Sequence, residues 1–194
     1  MKLSQQRRRP PQQQAGMSLI ELMIAMAVLA AGMIALLALF MAGTNSNNRN
    51  SRDSSATLLA QKILEQVSAQ NPNSDATIEI TDCTGQAWTI ATADGPAPTG
   101  FGANLVTDPA DPAYGGIDQT QKRFTITPNY SMQYVDCDTN GRQTTYDVRW
   151  NVMTVSANTT KLITVSARES AAPNNQLGGI RFAIPVTLRS IAGP

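Results

Sequence analysis

The sequence contains no histidine. That absence removes the commonest general base, the Ser-His and Cys-His nucleophile pairs and the commonest metal ligand. Cysteine is nearly as scarce. Cys83 and Cys137 are the only two, and they fit neither a zinc-ligand spacing nor a CxxC redox motif. A basic face is missing as well. The formal charge of +1 averages unlike regions: residues 1–16 carry Lys2, Arg7, Arg8 and Arg9 with no acid, and from Met17 to Gly43 the only charge is Glu21. Residues 44–194 then hold 11 basic and 13 acidic residues. Without basic clusters interleaved with aromatics, this part is not built to bind nucleic acid through bulk electrostatics. A length of 194 residues suits one compact domain plus a terminal segment.

One long apolar run is present. Residues 22–42 are uncharged and mostly apolar. As a helix rising about 1.5 Å per residue they reach roughly 30 Å, the hydrocarbon thickness of a bilayer. The preceding Arg7-Arg8-Arg9 predicts a cytoplasmic N-terminus and an exported remainder. An ordinary secretory signal has an apolar core of about 7–15 residues and ends in a small-x-small cleavage site. Here the run is longer, and Phe40-Met41-Ala42 offers no such site. A plain anchor leaves Glu21 unexplained, because a charge inside a membrane is costly and usually has a partner. Its other reading is a carboxylate that snorkels to the headgroups.

Gly16-Met17-Ser18-Leu19-Ile20-Glu21, behind a basic leader and ahead of the apolar run, resembles the processing motif of type IV pilins and their relatives. The resemblance implies that a membrane-embedded prepilin peptidase cuts after Gly16 and methylates the new amine of Met17. It implies that this amine then pairs with Glu21 of a neighbouring subunit, cancelling two charges in an apolar core. Met17 and Ser18 stand where the family most often has phenylalanine and threonine. The small residues Ala25, Ala27, Ala30, Ala31, Gly32 and Ala35 either let helices approach closely or are ordinary membrane-helix composition.

Residues 43–55 are polar and rich in asparagine, which weakens helix propensity. They are either a break or a frayed part of one long helix. Residues 56–70 predict an amphipathic helix, with Leu59, Ile63 and Val67 recurring every four residues and Asn71-Pro72 as its stop. Beyond it the chain is β in character. Strands are expected at 77–82, 87–91, 122–128, 145–156, 161–167 and 180–190, the last with Pro185 marking an edge or bulge. In 145–156, Tyr146, Val148, Trp150 and Val152 share one face, and Asp147, Arg149 and Asn151 the other. With 161–167 this stretch predicts an antiparallel hairpin. The hairpin also resembles the C-terminal region of PilV-like minor pilins.

The expected fold is therefore α+β, a long N-terminal hydrophobic helix packed on an antiparallel sheet. Its expected parts are a cleaved leader (1–16), an assembly helix (17–43), an amphipathic continuation (44–70) and a periplasmic β-rich domain (71–194). On an exported domain Cys83 and Cys137 read as a structural disulfide, with two buried thiols as the alternative. Residues 94–118, with four prolines and five glycines, read as a variable surface loop or as a contact surface for a neighbouring subunit. Asp136, Asp138, Asn140, Gly141 and Asp147 match part of a calcium-loop pattern, but Asn140-Gly141 is also a hairpin turn signal.

The resemblance implies a minor type IV pilus subunit, not an enzyme and without a cofactor. Its partners would be the prepilin peptidase, other minor and major pilins, and the inner membrane. It would span that membrane once before joining a pilus or pseudopilus. A secretion or competence pseudopilin shares the same motif. A membrane-anchored periplasmic enzyme or binding domain is the reading of another class.

Overall fold

In the computed structural model, residues 18–71, 75–139, 141–156, 160–170 and 183–193 are described. The leader with Gly16 and Met17, Pro72, Asn140 and residues 180–182 lie outside them. The chain divides into two units, one ending at Asn47 and one beginning at Asn48.

Helix α1 runs without interruption over Leu19–Ser68, so the polar stretch 43–55 does not break it. Gly43 costs a helix about 1 kcal/mol relative to alanine, and each Asn, Ser or Thr up to about 0.7 kcal/mol. Several hydroxyls are absorbed by the helix itself. Thr44 donates to the Met41 carbonyl, Ser54 to Asn50 and Thr57 to Asp53. In the first unit every helical residue is exposed.

In the second unit the helix becomes amphipathic. Ala56, Leu59, Ala60, Ile63 and Val67 are buried, and they share one core with Val148, Trp150, Val152, Ile163 and Val165 of the sheet. The three-to-four-residue spacing places these side chains on one stripe.

Strands β1 (Thr77–Thr81) and β2 (Ala87–Ala91) form a separate antiparallel hairpin. The main sheet has five strands: β3 (Phe101–Gly102), β4 (Ser131–Cys137), β5 (Gln143–Ser156), β6 (Thr160–Glu169) and β7 (Val186–Ala192). β5 is long enough to pair β6 along one edge while its other edge carries β4 and then β3. β7 closes the far side against β6. All pairings between these strands are antiparallel.

Three expectations need correction. Residues 122–128 are not a strand; Arg123–Thr125 form one 3-10 turn. Of its two apolar side chains only Ile126 reaches the core, while Phe124 is 83% exposed, so the apparent alternation buries nothing at Phe124. The last strand begins at Val186, with Pro185 ahead of it instead of inside, consistent with proline's missing N–H. And β4 is present where no strand was expected. Its alternation is short, with Met132 fully buried and Asp136 breaking the apolar pattern.

Candidate functional site: an apolar helix and a two-faced sheet

Ser18 immediately precedes the helix of the first unit, and its carbonyl accepts the N–H groups of Glu21 and Leu22 at 3.1 and 3.2 Å. Glu21 therefore lies in the first turn, where a carboxylate complements the partial positive charge of the helix N-terminus. After it come large apolar side chains exposed on every side, from Leu22 to Met41. The helix is long and apolar enough to cross a membrane by length and composition. A helix apolar all round is made for a lipid or protein surround, not for water. At 100° per residue Ala25, Gly32 and Ala35 fall within about 40° of Glu21, and a side chain added at Gly32 would meet nothing. Ala27, Ala30 and Ala31 point elsewhere. Glu21 thus stands at the head of a face that can accept close approach.

In the second unit the core face of the sheet is covered by residues 56–67 of α1. At one end of this packing, Arg52 pairs with Glu169 at 2.7 Å. Beside it a cleft of about 200 Å³ lies between Leu58 and Lys62 of the helix and Tyr134, Asp136 and Tyr146 of the sheet. The Lys62 ammonium sits 5.7 Å from the Tyr134 ring centre, and burial, then the nearby Asp136 and Asp82, push the Tyr134 hydroxyl above its usual range.

The opposite face carries Asp147, Arg149 and Asn151, residue types that belong in water. All three are buried, because the segment 99–121 folds back over them. Arg149 donates to the backbone carbonyls of Asp118 and Gln121, Asn151 to those of Thr99 and Ala103, and Arg168 to that of Gln119. Gln119 reaches Ser166 at 2.8 Å. An irregular segment has backbone groups to satisfy, and a polar sheet face supplies the donors. The proline- and glycine-rich loop is in this respect a lid over the sheet. Gly102 sits where it must. With φ of +111° and the Trp150 carbonyl and Tyr130 ring against it, no side chain fits.

The stretch 136–147 is a hairpin and not a helix-flanked loop. Cys137 pairs with Gln143, the Gly141 N–H bonds to Asp138, and Gly141 has φ +75°. Asp138 accepts from Arg142 N–H. The Asp147 carboxylate is engaged by Arg149 at 2.8 Å and Arg168 at 3.2 Å. Among the described residues no three carboxylate, histidine or cysteine side chains converge as a metal site.

Cys83 and Cys137 are joined by a disulfide. It ties the β1–β2 turn to the end of β4. Two further links hold this hairpin to the main sheet: the Trp150 indole donates to the Ala91 carbonyl at 2.9 Å, and Ala91 N–H bonds to Asn129. Asp82 organises the turn, accepting from Thr84 N–H and hydroxyl, Gln86 N–H and the Trp88 indole. Burial alone would raise its pKa; the hydrogen bonds from Thr84, Trp88 and Gln86 override it and take it down to about 2. Asp94 behaves alike. Its burial is outweighed by Lys161, 2.8 Å away, and by the Thr154 hydroxyl, which hold it below the usual carboxylate range.

No curated protein and no solved structure gives a significant match to the chain. Residues 11–37 match the family model described as the prokaryotic N-terminal methylation motif. That span contains the end of the basic leader, Gly16, Met17, Glu21 and much of the apolar helix, and leaves the second unit unmatched. Over these residues the chain carries the N-terminal methylation motif typical of type IV prepilin-like proteins.

Proposed function

We propose that the protein is a minor subunit of a type IV pilus, of the PilV-like kind. It is cut after Gly16, methylated at Met17 and assembled from the inner membrane through its N-terminal helix. The observation that carries this reading is the methylation motif over residues 11–37, joined to an exposed apolar helix with a single carboxylate in its first turn. In this role the chemistry done on the chain is done by its partners, and the chain itself is structural. Residues 1–16 are the part removed, 17–43 the assembly helix, 44–70 its amphipathic continuation and 71–194 the periplasmic domain.

The basic leader holds the N-terminus at the cytoplasmic face. Cleavage replaces it by one amine at the head of the helix. In an apolar filament core that amine and Glu21 of a neighbour cancel each other's charge, which favours one axial offset between helices. Ala25, Gly32 and Ala35 let the neighbouring backbone close in on the same face.

Glu21→Ala tests the assembly step. The expected outcome is a normally processed chain in the membrane and a loss of about tenfold or more from sheared filaments, the consequence of leaving one buried amine unpaired. Equal recovery of the variant and the parent in filaments would contradict the role given to Glu21. A secretion pseudopilus shares the motif and this prediction. Recovery in surface pili, against retention in a periplasmic pseudopilus, separates the two.

A further inference from the structure

The register of the main sheet determines which way each backbone group of β7 points. Trp150 accepts from Ala103 N–H and donates its own N–H to Tyr130, so the even-numbered residues of β5 bond away from β6. Hydrogen-bonded and non-bonded pairs alternate along antiparallel strands. Asn151 and Thr164 therefore bond to each other, and Ile163, Val165 and Ala167 bond to Ser190, Leu188 and Val186. That leaves the N–H and C=O groups of Thr187, Arg189 and Ile191 directed outward from the sheet edge. Among the described residues these six groups have no backbone partner.

Both faces are unfinished at this edge. On the core side Val186 and Leu188 are only partly buried against the core. On the other side Met153, Leu162 and Ile191 stand directly opposite one another across three strands, and the row ends at Ile191, which is 68% exposed. The strand itself lacks two of the usual edge protections. It has no bulge and no proline within the strand. Its one charge, Arg189, leans toward the Tyr114 carbonyl.

We propose that the outer edge of β7 docks an extended strand of a different prepilin-like subunit, which continues the sheet across the interface. This rests on the subunit function proposed above. A row of six aligned donors and acceptors is recognised by another extended backbone. A second copy of this chain is the poorer fit: full antiparallel overlap of two β7 strands sets Arg189 against Arg189, and directly opposed like charges are unfavourable. The fitting strand bears a carboxylate opposite Arg189 and an apolar residue beside Ile191.

The test places a photoreactive phenylalanine analogue at Ile191 of the full-length chain in membranes of its host, with Thr81 on β1 as the control position. The expected adduct at 191 contains peptides of another processed prepilin-like protein, and none forms at 81. Adding Thr187→Pro removes one outward N–H, leaves the bonds to β6 and should lower the adduct about tenfold. Arg189→Glu, which alters no backbone group, should lower it as well. An adduct formed only between two copies of this chain, an adduct with lipid alone, or none at all overturns the docking edge. The N-terminus is sequenced in the same sample. A processed chain without the adduct refutes the edge alone, and a retained leader refutes the subunit function itself.

Discussion

Asp147 has 8% of its side chain exposed and lies between the guanidinium groups of Arg149 and Arg168. Removing one partner of a buried pair leaves an uncompensated charge and costs about 3–5 kcal/mol. Asp147→Ala is expected to lose that much in urea unfolding, whereas Asp147→Leu combined with Arg149→Met, which removes the pair together, is expected to lose less. Alternation in the sequence correctly separates Tyr146, Val148, Trp150 and Val152 from Asp147, Arg149 and Asn151. It does not disclose that the polar set is also buried, because the covering segment 99–121 has no periodicity and its contacts are made by backbone carbonyls. Asp82 makes the domain sensitive to acid. Its carboxyl is lowered in the folded state to about 2, so its contribution is complete above the unfolded value near 4 and is lost as pH falls through the folded one. With solvent screening the difference contributes at most about 2 kcal/mol. Unfolding free energy measured between pH 5 and pH 2 should drop steeply, and Asp82→Asn should flatten that part of the profile.

At the scale of elements, legibility follows burial. The β5–β6 hairpin has an apolar face buried along its length, and its period of two is plain in the sequence. The amphipathic part of α1 is plain for the same reason. β4 is not: only Met132 of its seven residues is fully buried, and its end coincides with acidic residues that also spell a cation loop. The turn at 123–125 is the converse case, where Phe124 completes an alternation that the fold does not use. The continuity of α1 through residues 43–55 was open in the sequence because propensity there is unfavourable, and cooperative propagation from strong helix on both sides decides it. The disulfide acts on a small element. β1 and β2 alone make a two-stranded hairpin, which is marginal in water. Closing a loop of 54 residues' separation contributes about 4 kcal/mol in the chain-entropy account. Cys83→Ser with Cys137→Ser should lower stability by up to about that amount. In hydrogen exchange the amides of 77–91 should open before those of β5 and β6.

For the whole molecule, the N-terminal segment and the globular unit answer to different environments. The exposed apolar stretch of the helix over residues 22–42 has no reason to exist in water, and its motif names the enzyme class that would process it. Among the described residues the second unit has an ordinary core, a sheet with elements packed on both faces, and an outer β7 edge without a backbone partner. The motif over residues 11–37 was legible because a basic leader, a small residue and one carboxylate stand at close spacing ahead of a long apolar run. The β7 edge was not, because it is a property of backbone hydrogen bonding and register, which no side-chain pattern records. The proposed function makes the chain a processed prepilin. Its most direct test is the intact mass and N-terminal sequence of the protein purified from membranes of its own host. A processed prepilin begins at Met17 and is heavier by one methyl group; a chain that keeps residues 1–16 would contradict the proposed function.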